Sequence, residues 1–118
     1  MARMVFYDDF GEMECLAGDT LPTFEIGVEL EEGETLTGYS MQLILADWGQ
    51  KDTAVLCKTC TPMTEDDGFT CTLTSADTAA LSGVFQMHFR MVDEDGLSQR
   101  KLAGALTVLP VPQGGGTA

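Results

Sequence analysis

Cys57-Lys58-Thr59-Cys60 has the spacing of half a zinc site, but a full tetrahedral site needs a second such pair, or histidines at matching spacing. The other cysteines, Cys15 and Cys71, are isolated, and His88 is the only histidine. The pair also lies inside Val55-Leu56-Cys57-Lys58-Thr59-Cys60-Thr61, which reads as a strand. Residues three apart on a strand point to opposite faces. Cys57 and Cys60 therefore cannot grip one ion without a turn between them. A thioredoxin-type redox role meets a related objection, because those motifs sit at a helix start.

His88 falls between Gln86 and Arg90 in an alternating run, on the face expected to meet solvent. No Ser, Cys or carboxylate is placed by local sequence to work with it as nucleophile or orienting group. Gly114, Gly115 and Gly116 follow Pro112 and open no helix, so they cannot aim backbone amides at a phosphate. The acidic turns, Glu29 to Glu34, Glu65 to Asp67 and Asp93 to Asp95, are the best candidates for an ion. Calcium takes about six to eight oxygens, none of these runs matches an EF-hand loop, and their convergence depends on the fold. No catalytic residue, cofactor or metal ligand is assigned, and the expectation is a protein that is not an enzyme.

The chain has 118 residues, enough for one domain. With 44% hydrophobic residues it can build one core without a disulfide or metal. The net charge of −13, from 19 acidic and 6 basic residues, argues against nucleic acid, which is gripped by clustered Lys and Arg. It also disfavours anionic membrane surfaces. The acids either coat the surface for solubility or meet a partner of positive charge. The start, Met1 to Tyr7, has only a short apolar run before Asp8 and Asp9, unlike a signal peptide. No stretch approaches the ~18 apolar residues of a membrane helix. The chain is expected to stay in a cytoplasm, with reduced thiols, or to assemble there into something larger.

Period-two alternation is the strongest structural signal. Thr23 to Leu30 buries Phe24, Ile26, Val28 and Leu30 on one face; Tyr39 to Leu45 buries Tyr39, Met41, Leu43 and Leu45. Thr53 to Thr59 form another strand. Phe69, Cys71 and Leu73 point inward from a short one, so Cys71 reads as a small core hydrophobe. Phe85, Met87, Phe89 and Met91 line the longest run, and Asp95-Gly96 is a hairpin signal leading into a last strand from about Leu97 to Leu109. The single helical candidate is Ser75 to Leu81, capped by Thr74 or Ser75 and closed by Gly83. Glu12 to Leu16 is a further candidate strand. Seven to eight evenly spaced strands favour an all-β, immunoglobulin-like antiparallel sandwich with one short helical turn. The expected organisation is an N-terminal segment or edge strand over 1–17, a sandwich over 18–110 and a flexible Pro/Gly tail over 111–118. Cys15 and Cys71 can in principle bridge the sheets.

Trp48 is the one large aromatic that local pattern leaves in a loop. It either anchors an interface or folds back over the end of the core. Met4, Phe6 and Tyr7 raise the same question: an apolar arm pairs with a neighbouring subunit's sheet edge, or with its own. These four residues are the candidate interface.

The segment Phe69-Thr70-Cys71-Thr72-Leu73-Thr74-Ser75-Ala76-Asp77-Thr78-Ala79-Ala80-Leu81-Ser82-Gly83-Val84-Phe85 resembles a recurring one in phage baseplate upper proteins and related tail modules. Those carry a strand, Leu-Thr, an Asp-Thr pair, a Gly and an aromatic opening the next strand. Gly18-Asp19-Thr20, Asp95-Gly96 and Leu106-Thr107-Val108 are similar to that family's start, last hairpin and closing strand, so the resemblance covers roughly Gly18 to Leu109. It implies an immunoglobulin-like sandwich that assembles with other phage structural proteins, and with further copies of itself, in a tail, baseplate or connector. The location implied is the virion, assembled in a bacterial cytoplasm. The segment Met1 to Ala17 is extra, and the downstream helical and receptor-binding parts are missing, so attachment to host sugars is not implied. The alternative is a bacterial immunoglobulin-like module that binds carbohydrate or protein outside any phage.

Overall fold

The computed structural model describes residues 3–6, 11–49, 53–64, 67–96 and 98–110. The alternating segments form the expected all-β sandwich. In chain order the elements are β1 (Arg3–Val5), β2 (Gly11–Leu16), β3 (Phe24–Glu29), β4 (Ser40–Asp47), β5 (Ala54–Thr59), β6 (Thr61–Pro62), β7 (Gly68–Cys71), α1 (Ser75–Ala79), β8 (Gly83–Val92) and β9 (Ser98–Leu109). One sheet runs β1-β3-β7-β6 and the other β2-β9-β8-β4-β5. Lettered as an immunoglobulin sandwich, the first is A-B-E-D, and the second is G-F-C with one C′ strand beside C and β2 as an added A′ strand beside G. All neighbours are antiparallel except β2 and β9, which run parallel from Gly11↔Gly104 to Leu16↔Leu109.

The described residues contain nine strands rather than seven or eight. The segment before Gly18 accounts for part of the excess. It supplies an edge strand to each sheet, β1 on β3 and β2 on β9. The strand expected through Thr61 instead breaks at Cys60. There the chain leaves the five-stranded sheet and enters the four-stranded one as the two-residue β6. The helix is also shorter than expected. It ends at Ala79, with Ala80 as its cap, because Leu81 turns back to bury itself in the core. Gly83 does not close the helix; it opens β8 with φ 115°.

The core is what the alternation dictates. Phe24, Ile26 and Val28 of β3 and Phe69 and Cys71 of β7 face Met41, Leu43, Leu45, Phe85, Met87, Phe89, Met91, Leu106 and Val108 across the sandwich. Each large side chain buried this way contributes about 1.5–3 kcal/mol. Phe89 sits at the centre, with Phe6 and Phe24 edge-on at 5.7 Å and 6.4 Å between ring centres. Leu30 and Tyr39 fall just beyond their strands and pack half-buried at the core's margin. Since β4 is interior to its sheet, its outer-face residues Ile44 and Ala46 are buried as well.

The helix connects the sheets through a capping box. Thr74 Oγ1 accepts from the Asp77 amide, and the Asp77 carboxylate accepts from the Thr74 amide at 2.9 Å. Thr78, fully buried, donates its hydroxyl to the Asp19 carbonyl at 2.7 Å and accepts from the Gly18 amide at 3.0 Å. That ties α1 to the turn between β2 and β3.

Candidate interface

Among the described residues the exposed large hydrophobics are Leu16, Trp48, Val55, Val84, Leu102 and Leu109. Four of them gather on the outer face of the five-stranded sheet, at one end. Alternation puts them there. Cys15, Phe85 and Val108 point into the core, so their neighbours Leu16, Val84 and Leu109 point out. Leu16 lies directly beside Leu109, and Val84 and Glu14 both flank Thr107. Trp48 joins them as β4 ends. Its amide donates to the Val84 carbonyl at 3.0 Å, and the residue stays 48% exposed. Trp48, Val84, Met13, Ala105 and Thr107 line a groove of about 340 Å³ that Glu12 and Glu14 complete. An apolar patch with a charged rim is the ordinary anatomy of a contact surface.

Trp48 therefore stands on the surface and not over the end of the core. The rest of the expected interface does not join it. Met4 pairs with Val28 through this chain's own sheet and is 3% exposed, so it is a core residue. Phe6 is half-buried against Phe89, with Lys101 Nζ 4.7 Å from the centre of its ring. The arm is thus folded onto its own domain. Apolar side chains at a free sheet edge gain more by filling the adjacent core than by remaining in water. Tyr7 lies outside the described residues. Arg3, Phe6, Arg100 and Lys101 border a second groove of about 470 Å³, which brings together three of the six basic residues. Arg3 there forms an ion pair with Glu29.

The remaining chemical candidates are dispersed. Cys57 is exposed and Cys60 buried, on opposite sides of the sheet. Cys15 and Cys71 are both buried free thiols, with no bridge between the sheets. His88 is half-buried on the outer face, between Ile44 of β4 and Leu102 of β9, with Nε2 3.1 Å from Gln86 Oε1. Burial, and then the nearby Arg100 charge, push its pKa below the ordinary value. The turns around Glu34 and Asp93 to Asp95 meet at the far end of the sheet from Trp48 and share a groove of about 400 Å³. In it Tyr39 donates its hydroxyl to Glu34 at 2.6 Å. Of the third acidic turn, Glu65 and Asp66 lie outside the described residues. Among the described residues, no group of three or more His, Cys, Asp or Glu side chains is placed to hold a metal ion. No helix among them is long and apolar enough to cross a membrane.

Leu16, Val84 and Leu109 were not singled out by the sequence; the alternation of β2, β8 and β9 is the signal that could have placed them outward. Their meeting with Trp48 depends on the parallel register of β2 on β9, which no local pattern encodes. None of the known protein families matches this chain, and no curated protein matches it either.

Proposed function

We propose that this domain is a non-enzymatic structural protein of a phage or prophage virion, a tail, baseplate or connector component that works by protein–protein assembly. The observation that carries an assembly role is the exposed cluster of Trp48, Val84, Leu16 and Leu109 at one end of the five-stranded sheet. The virion setting rests on the resemblance of the Phe69 to Phe85 segment to baseplate modules. The contact is made through the sheet face. Glu12 and Glu14 on the edge strand β2 discourage open-ended strand addition. They favour a partner that brings positive charge to the rim of the patch.

The test is co-expression with the products of neighbouring genes, followed by size-exclusion chromatography with light scattering. The expected result is a complex with a tail or capsid protein, or with further copies of the chain, that Trp48→Ala weakens at least tenfold. A strict monomer with no tail or capsid genes nearby overturns the proposal.

The groove beside Trp48 also favours a second reading, a bacterial immunoglobulin-like module that binds carbohydrate. An exposed indole next to Glu12 and Glu14 offers a stacking face and hydrogen-bond acceptors. Binding on a glycan array, lost in Trp48→Ala, selects this reading over assembly.

A further inference from the structure

We propose that Cys60 and Cys71 are an oxidisable cross-strand pair that peroxide closes to a disulfide, fastening the edge strand β6 to β7. The geometry follows from the register. Thr61 pairs with Thr70 and Pro62 with Phe69, so Cys60 and Cys71 occupy the next opposed positions. Met63 donates its amide to the Gly68 carbonyl at 2.9 Å, which makes 63 and 68 a hydrogen-bonded pair. Such pairs alternate with non-bonded ones, so 61 and 70 are bonded and 60 and 71 are not. The backbone agrees. Cys60 sends its amide to Met41 at 2.8 Å, while Cys71 is paired on its other side with Phe24 of β3. Non-bonded pairs bring Cα atoms to about 4.5 Å, within the span of about 4.4–6.8 Å that a disulfide bridges. Both thiols are buried, and each is the largest influence on the other's ionisation.

That mutual influence lowers the Cys71 pKa and raises that of Cys60, so Cys71 is the thiol that ionises first and Cys60 the one that keeps its proton. The Cys71 thiolate attacks one oxygen of hydrogen peroxide. The O–O bond breaks, and the departing hydroxide takes a proton from solvent to become water, leaving a sulfenic acid. Cys60 sulfur then attacks Cys71 sulfur. The S–O bond breaks, the hydroxyl leaves as water with the Cys60 proton, and the S–S bond forms. Two thiols are oxidised and one peroxide is reduced to two waters. Access comes through β6, a two-residue edge strand whose Thr61 and Pro62 are both exposed and which opens locally at small cost. Cys57 on the outer face and Cys15 on β2 are internal controls.

The experiment treats the reduced full chain with hydrogen peroxide, alkylates the remaining thiols in denaturant, and maps the peptides by mass. The expected product is an intramolecular Cys60–Cys71 linkage with Cys15 still alkylated. It should be reversed by dithiothreitol and raise the thermal midpoint by roughly 5–10 °C. The same linkage must form in Cys57→Ser, which removes the exposed competitor and leaves the core untouched. Alkylation of both Cys60 and Cys71 after treatment that oxidises Cys57 overturns the proposal. So does a linkage through Cys57 or Cys15.

Discussion

A Cβ placed on Gly104 would lie 2.2 Å from the carbonyl oxygen of Gly11. The two glycines are opposed at the start of the parallel β2–β9 ladder, so backbone there approaches backbone with no room for a side chain. The neighbouring β-bulge, between Met87 and His88 on β8, leaves Ala103 between the partners Leu102 and Gly104. Gly104→Ala should force β2 away from β9 and lower stability by about 1–3 kcal/mol, the usual cost of overpacking. Urea unfolding measures it. A midpoint equal to the parent's would show that β2 does not hold this register.

Thr78 holds α1 to the loop after β2 by donating to Asp19 and accepting from Gly18. Thr78→Val keeps the shape and removes the hydroxyl, so the Asp19 carbonyl and the Gly18 amide lose that partner. The expected loss is about 1–3 kcal/mol in the same unfolding assay. Thr72→Val, at a partly exposed position that shares its hydroxyl contact with Thr23, should cost well under that. Equal losses at the two sites would contradict the anchoring role.

Alternation made β3, β4, β7 and β8 legible, because each has one face in the core and the other in or near water. The edges were harder. Gly11 to Leu16 has too few residues to reveal a partner ninety positions later in the chain, and its parallel pairing is a tertiary outcome. β6 was unreadable for a different reason. Two residues, one of them Pro62, carry no strand pattern, so the opposition of Cys60 and Cys71 stayed hidden while Cys57 and Cys60 drew attention by spacing alone. Trp48 was visible as a loop aromatic. Its companions became visible only when register placed Leu16 beside Leu109.

The Asp77 carboxylate accepts from Lys58 and from the Thr74 amide. The Lys58 bond, and then the Thr74 bond, hold its pKa below the ordinary 3.8. A depressed carboxylate stabilises the fold above its unfolded pKa, and that contribution disappears as pH falls through the folded pKa. Asp77→Ala should therefore cost about 1–2 kcal/mol at neutral pH, with the gap from the parent shrinking once the pH drops below about 3.8. Unfolding series across that range check the sign. A gap that is constant with pH would mean that the carboxylate's charge plays no part.

His88 works in the opposite sense. Burial, and then Arg100, disfavour its charged form, so the folded pKa lies below the ordinary 6.5. The unfolded chain then binds the proton more readily, and stability falls as pH drops below 6.5, levelling off once the folded pKa is passed. Arg100 also stands directly opposite Arg90 across β8 and β9, a like-charge pairing that costs stability. Arg100→Gln should relieve both effects. It should raise the His88 pKa toward 6.5 in an NMR titration and stabilise the fold by roughly 0.2–1 kcal/mol. His88→Gln should instead flatten the fall in stability below pH 6.5 without touching the Arg90–Arg100 pair. An unmoved His88 titration in Arg100→Gln would leave burial alone as the cause of the shift.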